Sequence, residues 1–220
     1  LHYPLRRQRQ MCIRDRLNTF FGHIVSVFTF IPYYNWLEIH DLHHKWTGYR
    51  DKDPTTEKTF EQRLTPFQKK LIDFCWSYYI PLFTVGYRFG IYWKVEKLKR
   101  HLSAKTYKNC LISMFLYGGL YILILCLFPL LVLKLLPAII LSFNITDIIS
   151  LSQHSHIQME NSSGRDVTPL KYIDQRRYSR SLILPSLLGK FILFNINFHE
   201  VQHAFLLYTS DAADEEDSVD

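Results

Sequence analysis

The stretch CLISMFLYGGLYILILCLFPLLVL, Cys110 to Leu133, decides the fold class of this chain. It has 24 residues and no charged side chain. As a helix it would extend about 36 Å, against a bilayer hydrocarbon core of about 30 Å. A second apolar run, Leu135 to Leu151, follows Lys134. Pro129 and Pro137 bracket the connection, where we expect the helix to break. The pattern predicts a transmembrane hairpin.

Two further apolar runs flank this hairpin on its N-terminal side. The mean hydropathy of −0.06 hides them, because charged stretches separate the apolar segments. Leu17 to Tyr34 reads as the end of a third span. Leu71 to Trp93 contains Asp73 and Arg88, and charges inside a span are costly. We therefore expect this last run to lie at the membrane interface or shallowly in it.

Basic side chains predict the orientation of the hairpin. They are dense on both flanks, whereas the turn offers only Lys134. By the positive-inside rule both flanks are cytoplasmic. The alternative, a soluble helical protein with an apolar core, fits poorly with an uncharged run of 24 residues. The flanking basic residues are Lys94, Lys97, Lys99, Arg100, Lys105, Lys108, Arg165, Lys171, Arg176, Arg177 and Arg180.

The two ends of the chain are related at the level of coding. With suitable codons, the DNA that encodes Arg6 to Arg14 has a complementary strand that encodes the sequence from Leu207 to Asp214. A sequencing adaptor translated at both ends of a gene fragment explains this relationship. We predict that residues 1–16 and 206–220 are adaptor-derived and that residues 17–205 form the membrane domain, incomplete at both ends. The alternative is a basic arm and an acidic tail.

Histidines cluster at the ends of the apolar runs. The spacing of His40, His43 and His44 places three imidazoles on one face of a helix. His154 and His156 follow the return helix of the hairpin, and their directions differ by roughly 200° on a helix. His199 and His203 again share a helical face. If Leu71 to Trp93 does not span, all three clusters lie on the cytoplasmic side. The fold class is therefore all-α: a multi-pass integral membrane helical protein with a cytoplasmic histidine-box cap.

This donor set predicts a transition-metal site. Neutral imidazoles suit Zn, Cu, Fe or Ni, and not Mg or Ca. Without His156 the clusters offer six candidate ligands, more than one tetrahedral zinc ion uses, which favours two metals. Nearby carboxylates could orient the imidazoles through their far ring nitrogens or could be solvated loop charges. These carboxylates are Asp41, Asp51, Asp53 and Glu200. For His23 and His101 we expect packing or surface roles.

Three segments resemble the histidine boxes of the membrane fatty acid desaturases. PYYNWLEIHDLHHKWTGYRDKDP, Pro32 to Pro54, resembles the second box of that family. SQHSH, Ser152 to His156, resembles the additional histidine segment after the hairpin, and NINFHEVQH, Asn195 to His203, resembles the third box. The similarity extends over residues 17–205. Three such segments in this order around a hairpin are far more specific than any one of them.

The resemblance implies a fatty acyl desaturase with a non-haem di-iron centre and O₂ as co-substrate. It implies an acyl lipid or acyl thioester as substrate, a ferredoxin or a b-type cytochrome as electron donor, and no nucleic acid partner. The iron ligands carried over by position are His40, His43, His44, His154, His199 and His203. Residues with an undecided role as ligands or supports of ligands are Gln202, His156, Asp41 and Glu200.

Two departures from the family pattern bear on activity. The first histidine box would lie upstream of Leu17, and we expect truncation to have removed it. Gln202 stands where the third box usually has the first His of a terminal pair, and a Gln carbonyl is a poorer metal ligand than imidazole. We therefore expect this fragment to be inactive on its own.

Alternative functions remain open from the sequence. A hydroxylase or ketolase on the same scaffold, acting on an alkane, sphingolipid or carotenoid, would use the same oxidant and a different substrate placement. A non-enzymatic membrane protein that binds or transports metal would place polar residues along a pathway inside the spans. Here the candidate ligands stand at span ends, and only Asn144, Thr146 and Asp147 are polar within the return helix. This pattern favours the enzyme.

Overall fold

The computed structural model describes residues 3–56, 64–155, 157–193 and 195–205. For residues 3–15, 172, 173, 202, 204 and 205 it describes the backbone alone. Over the described residues the prediction of an all-α chain is confirmed: the only β pairing there is an isolated bridge between Tyr49 and Glu160. The α-helices are α1 Tyr3–Thr29, α2 Tyr33–Trp46, α3 Pro66–Ser77, α4 Leu82–Tyr87, α5 Val95–His101, α6 Ala104–Leu127, α7 Pro129–His154, α8 Tyr172–Gln175 and α9 His199–Phe205.

Helices α6 and α7 are long and apolar enough to cross a membrane, with 24 and 26 residues. Only 17% and 6% of their apolar windows are buried, so neither is packed as a core helix among the described residues. Side chains this apolar and this exposed are stable against lipid or another apolar surface. These are the two helices of the described chain that meet the length and hydropathy of a span. A third span in α1, the multi-pass topology and the cytoplasmic cap stay predictions.

The boundary between α6 and α7 differs from the prediction. The first run ends at Leu127, and Phe128 alone separates the two helices. Pro129 begins α7, a position where a missing N–H removes no hydrogen bond. Pro137 and Lys134, expected at the connection, lie inside α7. An internal proline removes one backbone hydrogen bond from a helix. A long apolar helix tolerates this loss, and α7 therefore continues through Pro137.

The chain divides into two compact units. The first unit comprises Leu1–Glu38 and Arg88–Val132. Within it, α1 is tied to α6 by hydrogen bonds of tyrosine hydroxyls: Tyr117 Oη lies 2.8 Å from His23 Nδ1, and Tyr121 donates to the carbonyl of Ser26 at 3.1 Å. Trp93 Nε1 donates to the carbonyl of Phe30 at 2.8 Å. His23 therefore has the packing role expected of it.

The second unit comprises Ile39–Tyr87 and Leu133–Asp220. It holds every described histidine that the sequence proposes as a metal ligand. A loop connection stabilises it: Arg50 N–H donates to the carbonyl of Glu160 at 2.9 Å, and Glu160 N–H donates to the carbonyl of Gly48 at 2.8 Å. Gly48 has φ +101°, a conformation that side-chain-bearing residues rarely adopt. The segment after α2 is thereby held next to the segment after α7.

The run Leu71 to Trp93 is not one helix. It is divided among α3, α4 and a π-helical turn, Arg88–Tyr92. The longest piece, α3, has 12 residues and would extend about 18 Å, too short to cross a bilayer. Helix α3 begins in a capping box, with Thr65 Oγ1 accepting from Gln68 N–H. This division agrees with the expectation that the run does not span.

Candidate metal centre

Helix α2 carries the first group of histidines on one face. The ring centroids of His40 and His44 are 4.4 Å apart, and those of His40 and His43 are 6.2 Å apart. The spacing of three and four residues at 3.6 residues per turn produces this arrangement. His43 and His44 are each only 4% exposed. The helix therefore directs its imidazoles into the second unit and away from solvent.

His154, the last residue of α7, brings a second element to these rings. Its ring centroid lies 5.1 Å from that of His43 and 4.6 Å from that of His199. The helix that carries it is apolar over most of its length, with a few polar residues such as Lys134 and Asp147, and its last three residues are all polar. The sequence change from an apolar run to Ser152, Gln153 and His154 thus marks where the helix reaches the site.

Helix α9 adds His199 and His203, whose ring centroids are 4.7 Å apart. The loop before α9 is fixed by Asn197, which is 1% exposed and donates through Nδ2 to the carbonyl of Leu182 at 2.9 Å. Leu182 N–H donates in return to the carbonyl of Asn197 at 2.8 Å. Gly189 leaves room for this contact, since a Cβ there would lie 3.2 Å from Asn197 Oδ1. Packing of this loop sets the position at which α9 begins.

The six imidazoles form one group, which we call the histidine cluster. Its members are His40, His43, His44, His154, His199 and His203. In four of them the possible ligand atoms all lie within 4.8 Å of one another, a spacing that could hold a metal ion; these are His43, His154, His199 and His203. The pair His40 and His44 joins this set through His44, whose ring centroid is 4.4 Å from that of His203. Residues far apart in sequence thus present their imidazoles to one site.

Three imidazoles of the cluster, those of His40, His44 and His203, are neutral near pH 7. Burial first, and then the neighbouring imidazoles of His40, His43 and His199, lower the pKa of His44 to about 2. Burial and the neighbouring rings also lower the pKa of His40 to about 3. The pKa of His203 is lowered by burial first and by its neighbours next. Neutral imidazoles offer the lone pairs that a metal requires.

The nitrogen contacts inside the cluster fit a bound cation. His199 Nε2 lies 2.7 Å from His154 Nε2 and 3.1 Å from His203 Nε2. Two neutral imidazoles at such a distance either share one proton or bring two lone pairs close together, and a cation that binds both lone pairs relieves the second case. His44 Nδ1 is buried without a hydrogen-bond partner among the described residues. An all-imidazole donor set of this kind suits Fe, Zn, Cu or Ni.

Asp53 holds the outer nitrogen of His43. The carboxylate is 3% exposed, and its Oδ2 accepts from His43 Nδ1 at 2.7 Å. Thr55 fixes the carboxylate in turn, since its backbone N–H donates to Asp53 Oδ1 at 2.8 Å. With its proton on Nδ1, His43 has the lone pair on Nε2, directed toward the cluster. The sequence left open whether Asp53 supports a ligand, and the geometry gives it that contact.

The other acidic candidates make different contacts. Asp51 accepts hydrogen bonds from the backbone N–H and hydroxyl of Ser162, which lower the pKa of its carboxyl group. Glu200 Oε1 accepts from the backbone N–H of Ser181 at 3.0 Å. Asp41 is exposed. His156 and the side chain of Gln202 lie outside the described residues, so their roles stay predictions.

Gln175 is a contact of the cluster that the sequence did not indicate. Its Oε1 lies 3.2 Å from His203 Nδ1, and its Nε2 donates to the carbonyl of His44 at 2.6 Å. The residue is 1% exposed. A glutamine between two histidine segments, with no spacing relationship to either, carries no signal in the sequence; only folding brings it there.

Comparison with known proteins agrees with this site. The family model described as fatty acid desaturase matches residues 1–205. The chain belongs to the fatty acid desaturase family. No curated protein and no solved structure matches the chain. The resemblance of the three histidine segments is thereby confirmed at the level of the family.

Membership of the desaturase family sets the coarse function. It points to an oxidoreductase, to fatty acyl chains as the substrate class and to association with membranes. A membrane-bound member of this family requires apolar helices and a metal-binding group. Helices α6 and α7 are long and apolar enough to cross a membrane, and four histidines could hold a metal. The assignment of residues 1–16 and 206–220 to an adaptor stays a prediction from the sequence.

Proposed function

We propose that this chain carries the larger part of the di-iron site of an O₂-dependent fatty acyl desaturase. The observation that supports this most strongly is the convergence of six imidazoles, from α2, α7 and α9, in one cluster in which His43, His44, His199 and His203 are buried. A surface histidine patch would not bury His43, His44 and His203 to 4% exposure or less. Buried imidazoles in this number are stable only if their nitrogens are used.

The residues of the cluster would hold the metals. His43, His154, His199 and His203 would form one group of ligands and His40 with His44 the other. When bound, the iron pair supplies the oxidant that removes hydrogen from an unactivated carbon of the acyl chain. Asp53 keeps the proton of His43 on Nδ1, so that Nε2 remains available for iron.

We propose the following reaction for this site. Two hydrogen atoms leave neighbouring carbons of an acyl lipid or acyl thioester, and a C=C bond forms. O₂ is reduced to two molecules of water, with two electrons from the acyl chain and two from a donor protein. A ferredoxin or a b-type cytochrome would supply the donor electrons, together with two protons from solvent. We place the histidine cluster on the cytoplasmic side of the membrane, because basic residues are dense on both flanks of the hairpin.

Two measurements test the proposal. The first is the iron content of the purified chain in detergent, with His199→Ala as the variant and His101→Ala as the control outside the cluster. We expect iron in the wild type and the control, and its loss in the variant. A wild type that stays free of iron after anaerobic reconstitution with Fe(II) would contradict a di-iron site.

The second measurement reads the product, and it uses the coding sequence extended upstream to include the predicted first box. Expression in a host of known lipid profile, followed by mass spectrometry of its fatty acids, should show a new double bond. A hydroxylated fatty acid without new unsaturation would contradict desaturation and favour the hydroxylase. We expect the present chain to give neither product, because we propose that it is inactive as a fragment.

A further inference from the structure

We propose that Gln175 is a positioning residue that holds His203 in the tautomer with its proton on Nδ1, and that ties the α2 histidines to those of α9. This inference rests on the proposed metal site. It concerns a residue outside the three histidine segments, whose amide contacts His203 and two backbone carbonyls.

The contacts of Gln175 fix the orientation of its amide. Nε2 lies 2.6 Å from the carbonyl oxygen of His44 and 3.3 Å from that of Leu170. Backbone carbonyls only accept hydrogen bonds, so the NH₂ group must face them. The opposite orientation would place Oε1 against two carbonyl oxygens. The hydrogen-bond network therefore assigns the NH₂ side of the amide to His44 and Leu170.

This orientation determines the tautomer of His203. Oε1 of Gln175 then faces His203 Nδ1 at 3.2 Å, and an amide oxygen only accepts. His203 Nδ1 must carry the proton and donate it. Its lone pair is left on Nε2, which lies 3.1 Å from His199 Nε2 inside the cluster. The ring is thus prepared to bind a metal through the nitrogen that faces the other candidate ligands.

The same amide completes the C-terminal end of α2. The last carbonyls of a helix lack intrahelical partners and need others when buried. The carbonyl of His43 accepts from Thr47 Oγ1 at 2.5 Å, and the carbonyl of His44 accepts from Gln175. One side chain of α8 therefore contacts the backbone of α2 and an imidazole of α9. This double contact helps to set the separation of 4.4 Å between the rings of His44 and His203.

An amide suits this position better than a carboxylate does. Asp53 needs only to accept from His43, and a carboxylate does this well. Gln175 must accept from His203 and donate to His44 in the same place. A glutamate would direct a second oxygen at the carbonyl of His44 and repel it. The two supports of the cluster therefore differ in chemistry for a physical reason.

The test compares Gln175→Leu with Gln153→Leu. Gln153 is also buried, at 6% exposure, and its Nε2 donates to the backbone carbonyl of Ile196 at 3.0 Å. Both variants lose a buried amide, but only the first loses a contact to an imidazole. In detergent, titration with Co(II) and melting of the metal-free protein are measured for each. We expect Gln175→Leu to weaken Co(II) binding by roughly 10- to 100-fold, and Gln153→Leu to weaken it by much less at a similar loss of melting temperature.

Equal Co(II) affinity of Gln175→Leu and the wild type would overturn the proposal, and so would an equal loss in both variants. A second measurement requires no variant: ¹⁵N NMR of the metal-free wild type, labelled at histidine, should show His203 protonated at Nδ1. A proton on Nε2 would overturn the proposal even if Gln175→Leu does not fold. A wild type that binds no Co(II) but shows the Nδ1 proton would contradict the metal site and leave the positioning contact intact.

Discussion

Helices α2 and α3 are similar in length, with 14 and 12 residues, and dispose their side chains in opposite ways. Helix α2 buries polar groups: His43 and His44 are 4% exposed and Asn35 is fully buried. Helix α3 exposes apolar groups: Phe67 is 75% exposed and Phe74 is 52% exposed. Both arrangements are the reverse of what a helix on the surface of a soluble protein adopts.

The physical reason differs for each helix. Burying an imidazole costs free energy unless its nitrogens find partners, and exposing large aromatic side chains costs free energy unless something apolar covers them. In our proposal, iron is the partner of the buried imidazoles of α2, and lipid covers the exposed aromatic side chains of α3. A helix that buries polar side chains or exposes apolar ones thus indicates the environment that it requires.

The largest expected effect is the loss of iron when α2 loses a buried ligand. We expect His43→Ala to weaken iron binding by more than about 100-fold, beyond what is typical of a residue that only supports a ligand. The measurement is iron per chain by mass spectrometry after reconstitution with Fe(II). His23→Ala is the control, because His23 contacts Tyr117 and is not in the cluster. Retained iron in His43→Ala, or equal loss in the control, would contradict the role of α2.

A smaller effect is expected from the support of His43. Asp53→Asn keeps the volume of the side chain and removes the charge that accepts from His43 Nδ1, so iron affinity should fall by roughly 10- to 100-fold. Asp51→Asn is the matched control, since Asp51 binds Ser162 and not an imidazole. The two variants are compared by competition with a chelator. If both lose affinity equally, the effect comes from loop stability and not from His43.

The metal-free protein should lose stability in acid because α2 buries neutral imidazoles. The pKa values of His44 and His40 are lowered to about 2 and about 3 in the folded chain, whereas unfolded His has a pKa of about 6.5. The unfolded state therefore binds more protons, so stability is full above about pH 6.5 and declines as the pH falls toward 3. At pH 5 the loss reaches up to about 2 kcal/mol for each imidazole.

Melting temperatures of the metal-free protein at pH 7.5 and pH 5 measure this loss. The His44→Ala variant should show a smaller difference between the two pH values, because it lacks one of the imidazoles with a lowered pKa. A melting temperature that is unchanged or higher at pH 5 would show that the cluster accepts protons when folded.

The smallest expected effect concerns α3 and leaves stability unchanged. Phe67, Leu71, Phe74 and Tyr78 share one helical face, and Lys69 lies on the opposite side. A spin label at position 67, in a background without other cysteines, should lie about 5–10 Å below the headgroups, and a label at position 69 should contact water. Accessibility to O₂ and to a water-soluble relaxing agent, measured in lipid nanodiscs, checks this. Equal water accessibility at the two positions would break the comparison with α2.

Much of the site was predictable because its order is local. The period of 3.6 residues places His40, His43 and His44 on one face whatever the rest of the chain does. The end of an apolar helix predicted the position of His154 relative to the membrane run. The prediction failed at Pro137, which was expected to end a helix and lies within α7. An apolar helix of that length tolerates one missing hydrogen bond, and this cannot be read from the proline alone.

By itself the sequence determined the helical class, the apolar runs that form α6 and α7, and the faces on which the histidines stand, because these follow from neighbours within one or two helical turns. Only the tertiary structure decided that Asp53 and not Asp51 supports His43, and that Gln175 contacts His203. The two aspartates are two residues apart and chemically identical, and Gln175 lies 28 residues from His203. Which of them meets an imidazole depends on how loops and helices distant in sequence pack, and no local period encodes that.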